Sequence, residues 1–207
     1  VPAYAGDPIL TLMEDFLKDT RPEKVSLSIG LYFDDEGRMP VMQSVRAAEA
    51  ELSRELGPYP YLPMEGMAAY VAASQKLVFG DGHDALASGR IASIQTLGGS
   101  GALKVGGDFL RRYLPSAEVW MSDPTWENHA AIFEGCGFEV HSYPYYDRAT
   151  GGLRFDDMLQ TLRTLPPESV VLLHASCHNP TGVDLLPSQW DQLVPALVER
   201  QHVPFVD

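Results

Sequence analysis

The segment Thr96-Leu-Gly-Gly-Ser-Gly-Ala-Leu-Lys-Val-Gly-Gly107 is the first stretch whose residue types could do chemistry. Glycines between a strand and a helix let backbone N–H groups approach an anion, and the positive end of the helix dipole favours it there. A phosphate is the natural guest. The spacing satisfies neither G-x-G-x-x-G nor G-x-x-x-x-G-K-[ST], and Lys104 lies too far into the helix to act as a P-loop lysine. A nucleotide-binding α/β module would rest on the glycines alone, and a tight strand-to-helix turn without a ligand fits the same pattern. Further on, Trp126 and His129 stand in Asp123-Pro-Thr-Trp-Glu-Asn-His129, Asn179 in His178-Asn-Pro-Thr-Gly182, and Asp207 in Pro204-Phe-Val-Asp207. Taken singly, Trp126 fits a core tryptophan and His129 a packed or solvated helix histidine. Asn-Pro-Thr-Gly fits a turn, with Asn before Pro starting it and Gly182 ending it.

The elements around these residues alternate. From Ile91 onward, short β-rich runs (91–96, 118–121, 138–142, 170–174 and 203–206) are separated by amphipathic stretches over 101–113, 128–135, 155–165 and 187–200. That rhythm predicts an α/β fold with a mostly parallel sheet flanked by helices, whose ligands sit at the carboxyl ends of the strands. Ahead of it, Asp7-Pro8 opens a helix through Lys18, Val25–Ile29 alternates as a strand ended by Gly30, and helices cover 40–56 and 65–79. The run Tyr145-Tyr-Asp-Arg-Ala-Thr-Gly-Gly152 is expected to be a turn-rich surface connection.

Composition narrows the function classes. A chain of 207 residues, 45% hydrophobic and 21% charged, is long enough to bury one substantial core and part of a second domain. Its net charge of −13 argues against nucleic acid or an anionic membrane as the main partner. No apolar run is long enough to span a bilayer and no signal-peptide pattern opens the chain, so the cytoplasm is the expected location. Cys136 and Cys177 have no metal-ligand spacing and are expected to be reduced thiols; no metal site is expected.

In order, Asp123–His129, His178–Gly182 and Pro204–Asp207 resemble the motifs of fold-type I pyridoxal-phosphate aminotransferases. With Ser28-Ile-Gly-Leu-Tyr32, Tyr61-Leu-Pro-Met-Glu-Gly66 and Thr96–Gly101, the chain from Tyr4 to Asp207 is similar to the aspartate/aromatic aminotransferase family, nearest its bacterial aromatic-amino-acid (tyrosine) branch. The resemblance implies an N-terminal arm and small-domain segment over 1–40 and a cofactor-binding large domain, incomplete, over 41–207. It implies pyridoxal 5′-phosphate as cofactor, its phosphate held by Ser100, Gly101 and Ala102. Trp126 would stack on the pyridine ring and Asn179 would donate to the phenolic oxygen O3′. Asp207 would pair with the protonated ring nitrogen and His129 would orient that carboxylate. Tyr61 would reach the phosphate of a neighbouring subunit, which implies a homodimer with active sites at the subunit interface. Gly30, Tyr61, Trp126 and Asn179 would border the substrate, Gly30 lying near its carboxylate.

The reaction so implied is amino transfer from an aromatic amino acid, or from aspartate or glutamate, to a 2-oxo acid such as 2-oxoglutarate. Aspartate aminotransferase and a different pyridoxal-phosphate enzyme of the same fold, such as a lyase, are the neighbouring alternatives. The family needs a lysine that bonds to the cofactor. The four lysines, Lys18, Lys24, Lys76 and Lys104, stand in no matching motif, and none of the eleven arginines matches those that clamp the substrate carboxylates. The Schiff-base lysine is therefore expected beyond Asp207, and this chain is expected to be inactive by itself.

Overall fold

The computed structural model describes residues 8–26, 30–55 and 57–207. Contacts divide the chain into two compact units, Val1–Tyr61 and Leu62–Asp207. In the first, α1 spans Pro8–Lys18 and α2 spans Gln43–Leu52. Lys24 Nζ donates to the Phe16 and Asp19 carbonyls at 2.6 Å each, meeting acceptors that the end of α1 leaves open. The helix expected over 40–56 is shorter because N–H groups of Ser53, Arg54 and Glu55 fold back on Glu49, Glu51 and Leu52 and close it. Of the strand expected over 25–29, Val25 and Ser26 are not in a strand, and 27–29 lie outside the described residues.

The second unit opens with α3 (Ala68–Phe79), the one-turn α4 (Asp84–Ala87) and α5 (Gly98–Tyr113). The helix expected from residue 65 starts at Ala68 because Gly66 has a left-handed φ of 92°, where a side chain would also collide with Gln95. Residues 91–96, expected as a strand, form none. Gln95 N–H donates to Glu65 O in a lone contact rather than a ladder, and a β-rich run becomes a strand only when a neighbour completes the ladder.

The sheet follows. β1 is Val119–Asp123, α6 is Glu127–Gly135, and β2 is Val140–Pro144. A small antiparallel pair, β3 (Tyr146–Asp147) and β4 (Gly152–Leu153), stands where a surface connection was expected. Its leading residue Tyr145 is buried, its hydroxyl donating to Val183 O at 2.6 Å, so this connection is anchored inward. Then come α7 (Phe155–Thr164), β5 (Val170–Leu173), α8 (Pro187–Glu199) and β6 (Val203–Val206). The four long strands are parallel in the order β2-β1-β5-β6.

All four residues of β5 are buried, as a parallel strand covered on both faces requires. Val170 and Leu172 join Leu103, Val119, Met121, Phe133 and Phe138 in one cluster, while Val171 and Leu173 join the residues of α7 and α8 in another. The chain steps outward from β1 to β2 through α6, then crosses back to β5 and steps the other way to β6 through α8. The carboxyl ends of the adjacent strands β1 and β5 therefore form the topological switch point, where open α/β sheets bind ligands.

Helix α5 connects to β1 through a short link and so runs against the strands, which puts its N-terminus at their carboxyl edge. Two glycines let it approach closely. A Cβ on Gly106 would lie 2.7 Å from Phe205, and one on Gly107 would lie 2.7 Å from Cys136 Sγ. Phe133, fully buried, packs edge-on against Phe205 at 5.2 Å. No described helix is long and apolar enough to cross a membrane. Phe133→Ala is expected to lower stability by about 3–5 kcal/mol in urea unfolding, and a loss under 1 kcal/mol would contradict this account of the core.

Candidate functional site

Residues just past β1 and β5 meet at the switch point, with the end of β6 beside them. His129, in the first turn of α6 and 0% exposed, places Nε2 2.8 Å from Asp207 Oδ2. Its other nitrogen lies 2.8 Å from the Thr125 hydroxyl. Thr125 Oγ1 is in turn 3.4 Å from His174 Nε2, and His174 Nδ1 accepts the Asn179 backbone N–H at 3.0 Å.

These contacts assign the protons. Burial first, and then the neighbouring His129, lowers the His174 pKa, so its ring is neutral at pH 7. Its lone pair faces Asn179 N–H and its proton sits on Nε2, toward Thr125. The Thr125 hydroxyl can then donate to His129 Nδ1, which leaves His129 Nε2–H to donate to Asp207. Every donor in the chain points toward the carboxylate. The ligand atoms of His129, His174 and Asp207 lie within 4.8 Å of one another, but both imidazole lone pairs face donors, so this set does not fit a metal ion.

Trp126, the N-cap residue of α6, is half-buried, and its ring meets His129 edge-on at 5.3 Å. Asn179 is exposed, and its side-chain amide has no hydrogen-bond partner among the described residues. At the glycine-rich turn the helix begins at Gly98, three residues earlier than expected. In an α-helix from that point the amides of Gly99 and Ser100 have no intrahelical carbonyl to pair with. Gly98, at φ 66°, donates to Thr96 O at 3.1 Å. Ser100, Gly101 and Ala102, the residues expected to hold an anion, all lie within the first five residues of α5.

Gly30 and Tyr61 belong to the first unit. Both are exposed, Tyr61 completely, and no atom lies within 4 Å of a Cβ built on Gly30. Sequence reading missed Thr125, His174, Ser122 and His178. Thr125 stood four residues before His129, and His174 closed the most apolar strand run; those were the available signals.

His178 is 2% exposed, stacked between Tyr145 at 3.9 Å and His174 at 4.3 Å. It lies 2.9 Å from the Ser122 hydroxyl and 2.8 Å from that of Thr181. Burial first, then His174, lowers its pKa to about 4. Burial likewise lowers that of His202. The unfolded chain, with histidines near 6.5, binds more protons than the folded one between about pH 6.5 and 4. Stability is therefore full above 6.5 and falls as pH drops through that window. His178→Gln is expected to reduce that acid-side loss by on the order of 1–3 kcal/mol, measured from urea midpoints at pH 7 and 4.5. An unchanged pH dependence would exclude His178 as a main contributor.

Comparison with known proteins gives a consistent result. The family model for aminotransferase class I and II matches residues 22–207. The tyrosine aminotransferase of Klebsiella pneumoniae is 60% identical over 208 residues, covering 100% of this chain and 52% of the relative. An aromatic amino acid aminotransferase structure from Burkholderia cenocepacia J2315 matches with TM-score 0.96 and 63% identity, over 100% of this chain and 52% of that one. The aromatic-amino-acid aminotransferase of Burkholderia pseudomallei, covalently bound to pyridoxal phosphate, matches with TM-score 0.94 and 50% identity over the same shares. The chain thus spans about half the length of the curated relatives it matches. With the family model covering most of its residues, the chain belongs to the aminotransferase class I and II family.

Proposed function

We propose that this chain is the cofactor-binding part of a pyridoxal-phosphate aminotransferase that moves an amino group between an aromatic amino acid, or aspartate or glutamate, and a 2-oxo acid such as 2-oxoglutarate. The observation that carries the reading is the Asp207 carboxylate. It stands at the carboxyl edge of the sheet, with Oδ2 fixed by buried His129 and Oδ1 without a partner among the described residues.

The polar groups fit the cofactor. The N-terminus of α5, with the Ser100 hydroxyl and the backbone of Gly101 and Ala102, suits its phosphate. The unpartnered Asn179 amide suits O3′, and the Trp126 face suits the ring. Bound there, pyridoxal phosphate would supply an electron sink for bond breaking at the substrate α-carbon. Asp207 would hold the proton on the ring nitrogen. His129, by donating to Oδ2, would keep Oδ1 aimed at the ring.

The proposed assembly is a homodimer, with Tyr61 serving the neighbouring site and Gly30 near the substrate carboxylate, and the proposed location is the cytoplasm. An exposed apolar groove of about 500 Å³, bordered by Leu62, Met64, Ile94, Leu97 and Val105, supports a partner surface. Residues 1–40 are proposed as arm and small-domain segment, and 41–207 as large domain.

The complete protein is expected to bind pyridoxal phosphate and to form glutamate from tyrosine and 2-oxoglutarate. Asp207→Ala is expected to lower turnover by about 100-fold or more. Absence of cofactor uptake by the complete protein, or wild-type turnover in the variant, would overturn the reading.

A further inference from the structure

The loop between β5 and α8 carries Asn179, and one exposed carboxylate ties that loop together. Asp184 accepts two consecutive backbone N–H groups, that of Cys177 on Oδ2 and that of His178 on Oδ1, both at 2.8 Å. These bonds, His178's first, hold its carboxyl below the usual carboxylate range. Asp184 is therefore ionised at neutral pH, and both contacts are charge-assisted. It forms no ion pair among the described residues, so its charge acts on the backbone.

What it grips resists relaxation. Cys177 has a φ of 54°, a left-handed conformation that a side-chain-bearing residue rarely adopts and that must be held. The next residue, His178, fixes its ring between Ser122 and Thr181, and its carbonyl accepts Gly182 N–H at 2.7 Å. The residue after that is Asn179, whose own N–H goes to His174. Two of the three residues that set the direction of the Asn179 side chain thus depend on the Asp184 carboxylate.

We infer that Asp184 is a positioning residue, which fixes the backbone of Cys177 and His178 and thereby sets where the Asn179 amide is presented to the cofactor's phenolic oxygen. The clamp rests on geometry alone; the last step rests on the transamination reading.

Amide hydrogen exchange of the complete protein without cofactor tests the clamp. Asp184→Ala speeds exchange at Cys177, His178 and Asn179 by about tenfold or more, and Asp184→Asn, which keeps one acceptor oxygen, gives a smaller increase. Unchanged exchange in either folded variant overturns the clamp. With pyridoxal phosphate bound, the pH midpoint of its visible absorbance tests the second step. Removing a donor from an ionised oxygen makes that oxygen more basic, so Asn179→Ala raises the midpoint. Asp184→Asn raises it less, and the double variant no further than Asn179→Ala alone. Full additivity overturns action through Asn179. A complete protein that takes up no cofactor removes the transamination reading and with it this second step, while exchange still decides the clamp.

Discussion

The hydrogen bond from His129 to Asp207, 2.8 Å long and made by a ring with no exposed surface, joins the first turn of α6 to the end of β6 across the carboxyl edge of the sheet. It can form only if strand order, register and helix packing are all in place. β6 must pair with β5 so that Asp207 follows Val206 at the edge, and Asp207 N–H donates to Leu173 O at 2.9 Å to fix that end. α6 must sit against the same sheet, which Phe133 secures from beneath through Phe138 and Phe205. The chain of neutral donors behind His129, running back through Thr125 and His174 to Asn179, links the two strand ends at the switch point into one hydrogen-bonded unit.

The glycine-rich helix does two different jobs along one length. At its first turn Gly99 and Ser100 leave amides open, while Gly106 and Gly107, two turns on, have no side chains because Phe205 and Cys136 occupy that space. Close packing at one end thus supports the geometry of the open amides at the other, since Gly106 lies against Phe205 of β6, the strand that Asp207 follows. The rise of the helix puts Gly99 roughly 10 Å beyond Gly106, toward the carboxyl edge.

Much of this was legible in the sequence because it is periodic. The run over 170–174 reads as a strand and β5 spans Val170–Leu173, the bounds of β6 match those expected, and Trp126, His129, Asn179 and Asp207 were named from ordered motifs. What the sequence hid depends on contacts between distant residues. The run over 91–96 has strand composition but no ladder neighbour, Gly66 halts a helix through a torsion, and Tyr145 is drawn inward by a carbonyl 38 residues away. His174, His178 and Asp184 act through single ring nitrogens and carboxylate oxygens, and no spacing rule records such choices.

The most direct test of the account is a crystal structure of the complete protein with pyridoxal phosphate. The account predicts Asp207 Oδ1 within about 2.6–3.0 Å of the ring nitrogen, His129 still on Oδ2, and the phosphate at the N-terminus of α5 against Ser100, Gly101 and Ala102. A ring nitrogen turned away from Asp207, or a cofactor seated elsewhere in the fold, would contradict it.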